Sequence, residues 1–289
     1  MTLVQAIILG AIQGLTEFLP VSSSGHLAVF KNLFNLNLDT GILFDVMLHF
    51  ATLIAVIIIY SKELGLMIVE FFKMIGDIFK NLGIKLRKSD EPYHQVVCNS
   101  IRKFTLMIIV TTIPTGIMGI LLEDLVETLQ MSLLFPGIFL VLTAIVLFIS
   151  DRLPEQNGTP RTTSFGKALI IGVAQGCATM PGLSRSGTSV AACVACGMNR
   201  AFAVKYAFIM SIPAILGAAV VKIPDLKEAA FTTNEIINYS AGMLVAFIVG
   251  FICIKAMLLI VRKKKFTYFG FYCLFIGCLA IGAHAASVM

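Results

Sequence analysis

The chain has 289 residues, 58% of them hydrophobic and only 13% charged, with a net charge of +6 and a mean hydropathy of +0.93. Polar surface is too scarce to cover a water-soluble globule of this length, so the sequence reads as an all-α, polytopic membrane protein. The positive charge is gathered in clusters beside apolar runs, which suits a membrane surface and gives no footing to a nucleic-acid partner.

Read in chain order, Thr2 to Leu19 is an apolar helical run with no basic leader and no small-residue cleavage site, and is taken as retained structure. Glu17 lies in its last turn, four residues after Gln13, so both side chains project from one face. Pro20 ends the run, and Val21-Ser22-Ser23-Ser24-Gly25-His26 follows it. A new helix beginning in this segment would turn backbone N–H groups and hydroxyls toward one point, a geometry suited to phosphate oxygens. An ionised carboxylate at membrane depth costs about 2.5 to 3.5 kcal/mol unless partnered. Glu17, with the amide oxygen of Gln13, is therefore a candidate ligand set for a hard divalent cation, Mg²⁺ or Ca²⁺. Ser23 is a candidate nucleophile, with His26 or Glu17 as the group that takes its proton.

The next run, Gly41 to Tyr60, is long enough to span the hydrocarbon. Asp45 and His49 on it are candidates to line the cavity or touch the cation. Between Tyr60 and Phe104 come Lys62, Lys73, Lys80, Lys85, Arg87, Lys88, Arg102 and Lys103, a cytoplasmic cluster by the positive-inside rule. Within it, Glu70, Lys73, Asp77 and Lys80 alternate with Phe71, Phe72, Met74, Ile75, Ile78 and Phe79 at helical spacing, which predicts an amphipathic helix lying in the interface. Spans follow at Phe104 to Leu122 and Leu133 to Ser150, separated by Glu123-Asp124-Leu125-Val126-Glu127, which lacks Lys and Arg and suits the outer face.

The second half repeats the first. Adding 162 carries Ala6, Gly10, Gln13, Gly14, Ser22, Ser24 and Gly25 onto Ala168, Gly172, Gln175, Gly176, Ser184, Ser186 and Gly187, while the proline slips from Pro20 to Pro181. Ser184, Arg185, Ser186, Gly187, Thr188 and Ser189 form the second polar motif and, with Ser22, Ser24 and Gly25, the candidate phosphate-binding set. Arg185 suits bidentate phosphate recognition. Without a bound anion, a pair with Glu17 is expected. Lys205, Lys222 and Lys255, near the ends of the spans Ala201 to Val221 and Ser240 to Ile260, read as snorkelling. Arg262 to Lys265 makes a second cytoplasmic cluster, and Phe266 to Ala285 is the last span.

Each polar motif is too broken to be one clean span and reads as a re-entrant helix pair followed by three spans. Three is odd, so the halves are expected in opposite orientation, with their tips meeting inside the membrane. The organisation is then one membrane domain, 1–289, with repeat one at 1–150, repeat two at 165–289 and a cytoplasmic amphipathic loop at 61–103. The first motif enters from the outer face.

The runs QGLTEFLPVSSSGH and PGLSRSGTS closely resemble the two signature motifs of the undecaprenyl-diphosphatase family, the bacitracin-resistance type of membrane phosphatase. The resemblance extends over essentially the whole chain. It implies hydrolysis of undecaprenyl diphosphate to the monophosphate at the cell membrane with a divalent cation, recycling the lipid carrier for cell-wall polymers. It marks Ser23 and His26 as a catalytic pair, Glu17 and Gln13 as the helix motif, and Ser184, Arg185 and Ser189 as the second motif. Gln13 stands where some members carry glutamate. The resemblance leaves a homodimer open. Inverted repeats with broken helices are also the architecture of carriers, so a transporter of isoprenoid lipid phosphates is the competing reading.

Overall fold

The computed structural model describes residues 1–33, 38–222, 232–262 and 265–288. Phe34, at the end of the first re-entrant pair, and Lys263 and Lys264 of the second basic cluster lie outside them. The described residues form twelve helices and no strand: α1 (Leu3–Phe18), α2 (Ser23–Leu33), α3 (Leu38–Ile59), α4 (Ser61–Arg87), α5 (Ser100–Leu121), α6 (Glu123–Gln130), α7 (Leu134–Arg152), α8 (Phe165–Cys177), α9 (Arg185–Ala195), α10 (Arg200–Val221), α11 (Thr233–Arg262) and α12 (Phe266–Val288). Five of them, α5, α7, α10, α11 and α12, are long and apolar enough to cross a bilayer. A sixth candidate is α3 with α4, which bends away from it by 80°.

The repeat in the sequence becomes a repeat in space. Shifting α2 and α3 by 162 residues gives the bounds of α9 and α10. The two copies run in opposite directions: the C-terminal end of α3 lies beside the N-terminal part of α10, with Tyr60 against Phe208 at 6.4 Å between ring centroids and Glu63 accepting from Lys205 at 2.7 Å. The halves also exchange partners, α1 packing on α11 and α8 on α5, while α7 and α12 pair with each other.

Glycine makes these crossings close. A Cβ added to Gly10 would stand 2.2 Å from the Gly242 carbonyl oxygen, and one on the matching Gly172 would stand 2.4 Å from the Thr111 carbonyl oxygen. In lipid, where apolar surface gains nothing by leaving its solvent, such close backbone contact is a main source of helix association. Thr111 and Thr115 add hydroxyl bonds to the carbonyls of Ala168 and Gly172 at 3.2 and 3.0 Å.

The polar surface of α4 is arranged differently from the sequence reading. Glu70 and Asp77 turn toward the body and hold Arg102 at the start of α5, at 2.7 and 2.6 Å, while Glu70 keeps a bond from Lys73 on its own helix at 2.9 Å. The segment Glu123 to Glu127 is a helix, α6. Lys222 is not a free snorkel: it donates to Glu123 and Glu127 at 3.0 and 2.9 Å. Lys205 is held by Glu63, and Lys255 lies 4.7 Å over the Phe251 ring.

Candidate active site

Both polar motifs are helix–turn–helix tips, and they interlock. Leu19 precedes Pro20 and is extended, φ −72° and ψ 149°, because the proline ring disfavours a helical residue before it; α1 therefore stops at Phe18. Ser22 then caps α2, its hydroxyl accepting from the Gly25 N–H at 3.3 Å. Ser184 caps α9 in the same way from Gly187 at 3.1 Å. The tips cross-link reciprocally: Ser24 Oγ accepts from the Gly182 N–H at 3.3 Å, and Ser186 Oγ donates to the Leu19 carbonyl at 3.0 Å. Gly25 and Gly187 permit the approach, since a Cβ on the first would lie 3.0 Å from Gly182 and on the second 3.2 Å from Pro20.

The proline slip has a structural counterpart. In the second tip the left-handed turn residue is Gly182, φ +98°, directly after Pro181; in the first it is Ser22, φ +69°, two residues after Pro20. A serine there is strained by about 1 to 3 kcal/mol. His26 supports it, its Nδ1 lying 2.7 Å from the Ser22 carbonyl.

Of the proposed phosphate-binding side chains, Ser22, Ser24, Ser184 and Ser186 are thus committed to caps and cross-links within the protein. The hydroxyls of Thr188 and Ser189 are buried without a partner among the described residues. Ser23 and Arg185, the first residues of α2 and α9, are only partly buried. Their helix N-termini carry amides without intrahelical acceptors and a partial positive charge, the requirements of an anion site.

Glu17 is the hub. Its side chain is 5% exposed, and both oxygens are engaged. Arg185 Nη2 donates to Oε1, the expected pair across the two tips. Ser23 Oγ donates to Oε2 at 2.7 Å, Gln13 Nε2 donates to the same oxygen at 3.1 Å, and His49 Nδ1 lies 3.1 Å from it. His49 Nδ1 is also 2.8 Å from Gln13 Nε2, so His49 joins the cluster. Asp45, one turn earlier on α3, is instead paired with Lys31 of α2.

His26 is turned away from this hub. Nδ1 is on the Ser22 carbonyl, and Nε2 is 2.8 Å from the hydroxyl of Tyr272 on α12. The carbonyl can only accept, so Nδ1 carries the proton and Nε2 accepts from Tyr272. The structure therefore places Glu17, not His26, on the Ser23 hydroxyl. Tyr272 was not legible in the sequence as a site residue: it lies in an unremarkable apolar span, 246 residues from its partner.

The donors suit a hard cation. Gln13 Oε1 is buried and has no partner among the described residues, and its amide nitrogen touches the carboxylate of Glu17. No group of three or more His, Cys, Asp or Glu side chains placed to hold a metal ion occurs among the described residues, so an ion here would complete its shell with amide, substrate and water oxygens, as Mg²⁺ commonly does.

At the positions matching Gln13, Glu17 and His49, the second half carries Gln175, Thr179 and Ser211. The glutamine is kept but the charge is gone: among the described residues Gln175 Nε2 reaches Thr115 Oγ1 and the Met210 carbonyl, each at 3.4 Å.

The family model described as bacitracin resistance protein BacA matches residues 6–279. A protein of Methanosphaera stadtmanae is 40% identical over 279 residues, covering 96% of this chain and 97% of the relative. One of Methanobrevibacter smithii is 38% identical over 280 residues, 96% of each. One of Alkaliphilus metalliredigens is 36% identical over 281 residues, covering 97% and 98%. All three relatives carry the name undecaprenyl-diphosphatase.

Proposed function

This chain belongs to the bacitracin resistance protein BacA family, and we propose that its two interlocked tips are the active site. The protein is a multi-pass membrane phosphatase that converts undecaprenyl diphosphate to undecaprenyl phosphate and inorganic phosphate, returning the lipid carrier to cell-wall synthesis.

One observation carries the reading of the site: the unbroken chain Ser23–Glu17–Arg185, which puts a hydroxyl on a buried carboxylate and that carboxylate on a cation from the opposite tip. The terminal phosphate of the substrate binds between the N-termini of α2 and α9, where Arg185, partly exposed, transfers from Glu17 to the phosphate oxygens. Ser23 Oγ then attacks the terminal phosphorus as its proton passes to Glu17 Oε2. The bond to the bridging oxygen breaks, and undecaprenyl phosphate leaves. Water attacks the phosphoserine and the P–Oγ bond breaks as Oγ recovers its proton from Glu17; phosphate departs with one proton of the water and the other is released to solvent. A flippase would not require a serine hydroxyl seated on a carboxylate.

Gln13 and Glu17, with His49 beside them, would hold a divalent cation, which when bound offsets the charge of the diphosphate. The cleft opens on the outer face. In support, basic α4 and acidic α6 lie at opposite ends of α5, and His49 lies about 15 Å back along α3 from its C-terminal end at 1.5 Å per residue. An introduced cysteine in Glu123 to Glu127 is then labelled from outside the cell.

The decisive experiment is acid trapping of the enzyme during turnover of substrate labelled in its terminal phosphate, followed by mass spectrometry. Phosphate on Ser23, lost in Ser23→Ala, is the expected result; phosphate on His26 would overturn the assignment.

A further inference from the structure

Helix α4 separates its side chains into three faces. Toward the body turn Met67 and Met74, both buried, together with the three acids Glu63, Glu70 and Asp77. These acids are tied chiefly to the body's own cations, Glu63 to Lys205 and Glu70 and Asp77 to Arg102, with Glu70 also accepting from Lys73 of its own helix at 2.9 Å. Away from it turn Ile68, Phe72, Phe79 and Leu86, which are 57%, 65%, 67% and 74% exposed and recur at steps of about one and two helical turns. Gly65, Gly76 and Gly83 lie among them with nothing within 4 Å of a would-be Cβ. Along one edge of that outward face runs a basic row, Lys62, Lys73, Lys80 and Arg87, repeating at about two- and three-turn intervals, every member exposed.

We infer that the outward face of α4 is a binding surface for anionic phospholipid, with Phe72 and Phe79 entering the acyl boundary and the basic row holding headgroup phosphates. Three observations carry this. The 80° bend at Tyr60 lays α4 across the axis of α3, so that with α3 upright in a bilayer α4 runs along its plane. The acids are withdrawn inward by their ties to α5 and α10, which leaves the outer edge cationic in spite of a mixed sequence. Large aromatics flanked by lysine and arginine match the acyl and phosphate layers at the depths where each is found. The ties also hold the helix in place, so it meets lipid already ordered.

The chain contains no tryptophan, so single introduced indoles report cleanly. The Phe72→Trp and Phe79→Trp proteins, each checked for retained phosphatase activity, are reconstituted in vesicles of mixed phosphatidylcholine and phosphatidylglycerol with one lipid brominated at a time. Ile149→Trp, on the exposed side of α7, serves as comparator. The expected result is quenching at positions 72 and 79 at least twofold stronger with brominated phosphatidylglycerol than with brominated phosphatidylcholine at equal mole fraction, and no such preference at 149. Combining Lys62→Gln, Lys73→Gln and Lys80→Gln should abolish the preference. Equal quenching by both lipids, or a preference that survives the lysine changes, overturns the proposal. So does an unquenched indole, whether exposed to water or covered by a second copy of the chain.

Discussion

Arg185, at the head of α9, donates to the carboxylate of Glu17, near the end of α1, and so joins two segments that the sequence separates by 168 residues. Each charge answers the other at the junction of the tips. Removing Arg185, the partly exposed partner, strands the Glu17 carboxylate, at a cost on the order of 1–3 kcal/mol. Arg185→Ala should therefore lower thermal stability in detergent and reduce phosphate release about 10²- to 10³-fold. Glu17→Gln with Arg185→Gln should recover most of the stability and none of the activity. Equal phosphate release by wild type and Arg185→Ala would remove the arginine from the site.

Tyr272 is expected to act through His26. Tyr272→Phe deletes the hydroxyl that His26 Nε2 accepts, at a cost of about 1 kcal/mol, and frees the imidazole that supports the left-handed Ser22. Turnover should fall roughly fivefold, following the cost in free energy, while trapped phosphate remains on Ser23. A variant with unchanged turnover and stability would show the Tyr272 bond to be idle.

The cation site proposed at Gln13 and Glu17 predicts a requirement for metal. A chelator should abolish phosphate release and Mg²⁺ or Ca²⁺ restore it. Gln13→Glu adds a second carboxylate and should lower the cation concentration for half-activation by about tenfold, because ligand charge raises affinity. Gln13→Leu should raise it. Titration of activity against cation for the three proteins decides this, and indifference to all three would dismiss the site.

The crossings of α1 with α11 and α8 with α5 depend on bare backbone. Gly10→Ala and Gly172→Ala place a methyl inside van der Waals distance of a carbonyl and should each destabilise by about 1–3 kcal/mol or more. Gly116→Ala, which meets nothing within 4 Å, should be neutral. Thermal unfolding of the three proteins side by side tests the contrast.

Hydrogen bonds from Arg102 first, then from Lys73 and Asn99, hold the Glu70 carboxyl down to about 2; Asp77 is lowered chiefly by its bond from Arg102. Both folded values lie below the usual carboxylate range of about 4. The docking of α4 is therefore fully supported above that range and is lost as pH falls toward 2. Hydrogen exchange in α4 should accelerate between about pH 4 and 2. With Glu70→Gln and Asp77→Asn together, that acid step should vanish.

Several features were decided by local sequence. Runs of about 20 apolar residues have no other stable use than spanning lipid, and the offset of 162 residues gave two copies whose odd number of spans forces them into opposite orientation. Glu17 and Arg185 stood out because each is too costly at membrane depth without a partner. What the tertiary structure alone decided is which polar group faces which. Ser23 is seated on Glu17 while His26, three residues on, turns to Tyr272; the serines are spent on caps and cross-links; Asp45 goes to Lys31 and His49 to the hub; and the acids of α4 turn inward to Arg102 and Lys205. Periodicity assigns a residue to a face of its own helix. The partner of that face comes from another helix, often more than a hundred residues away, and is set by how closely the glycine-lined crossings let the helices approach.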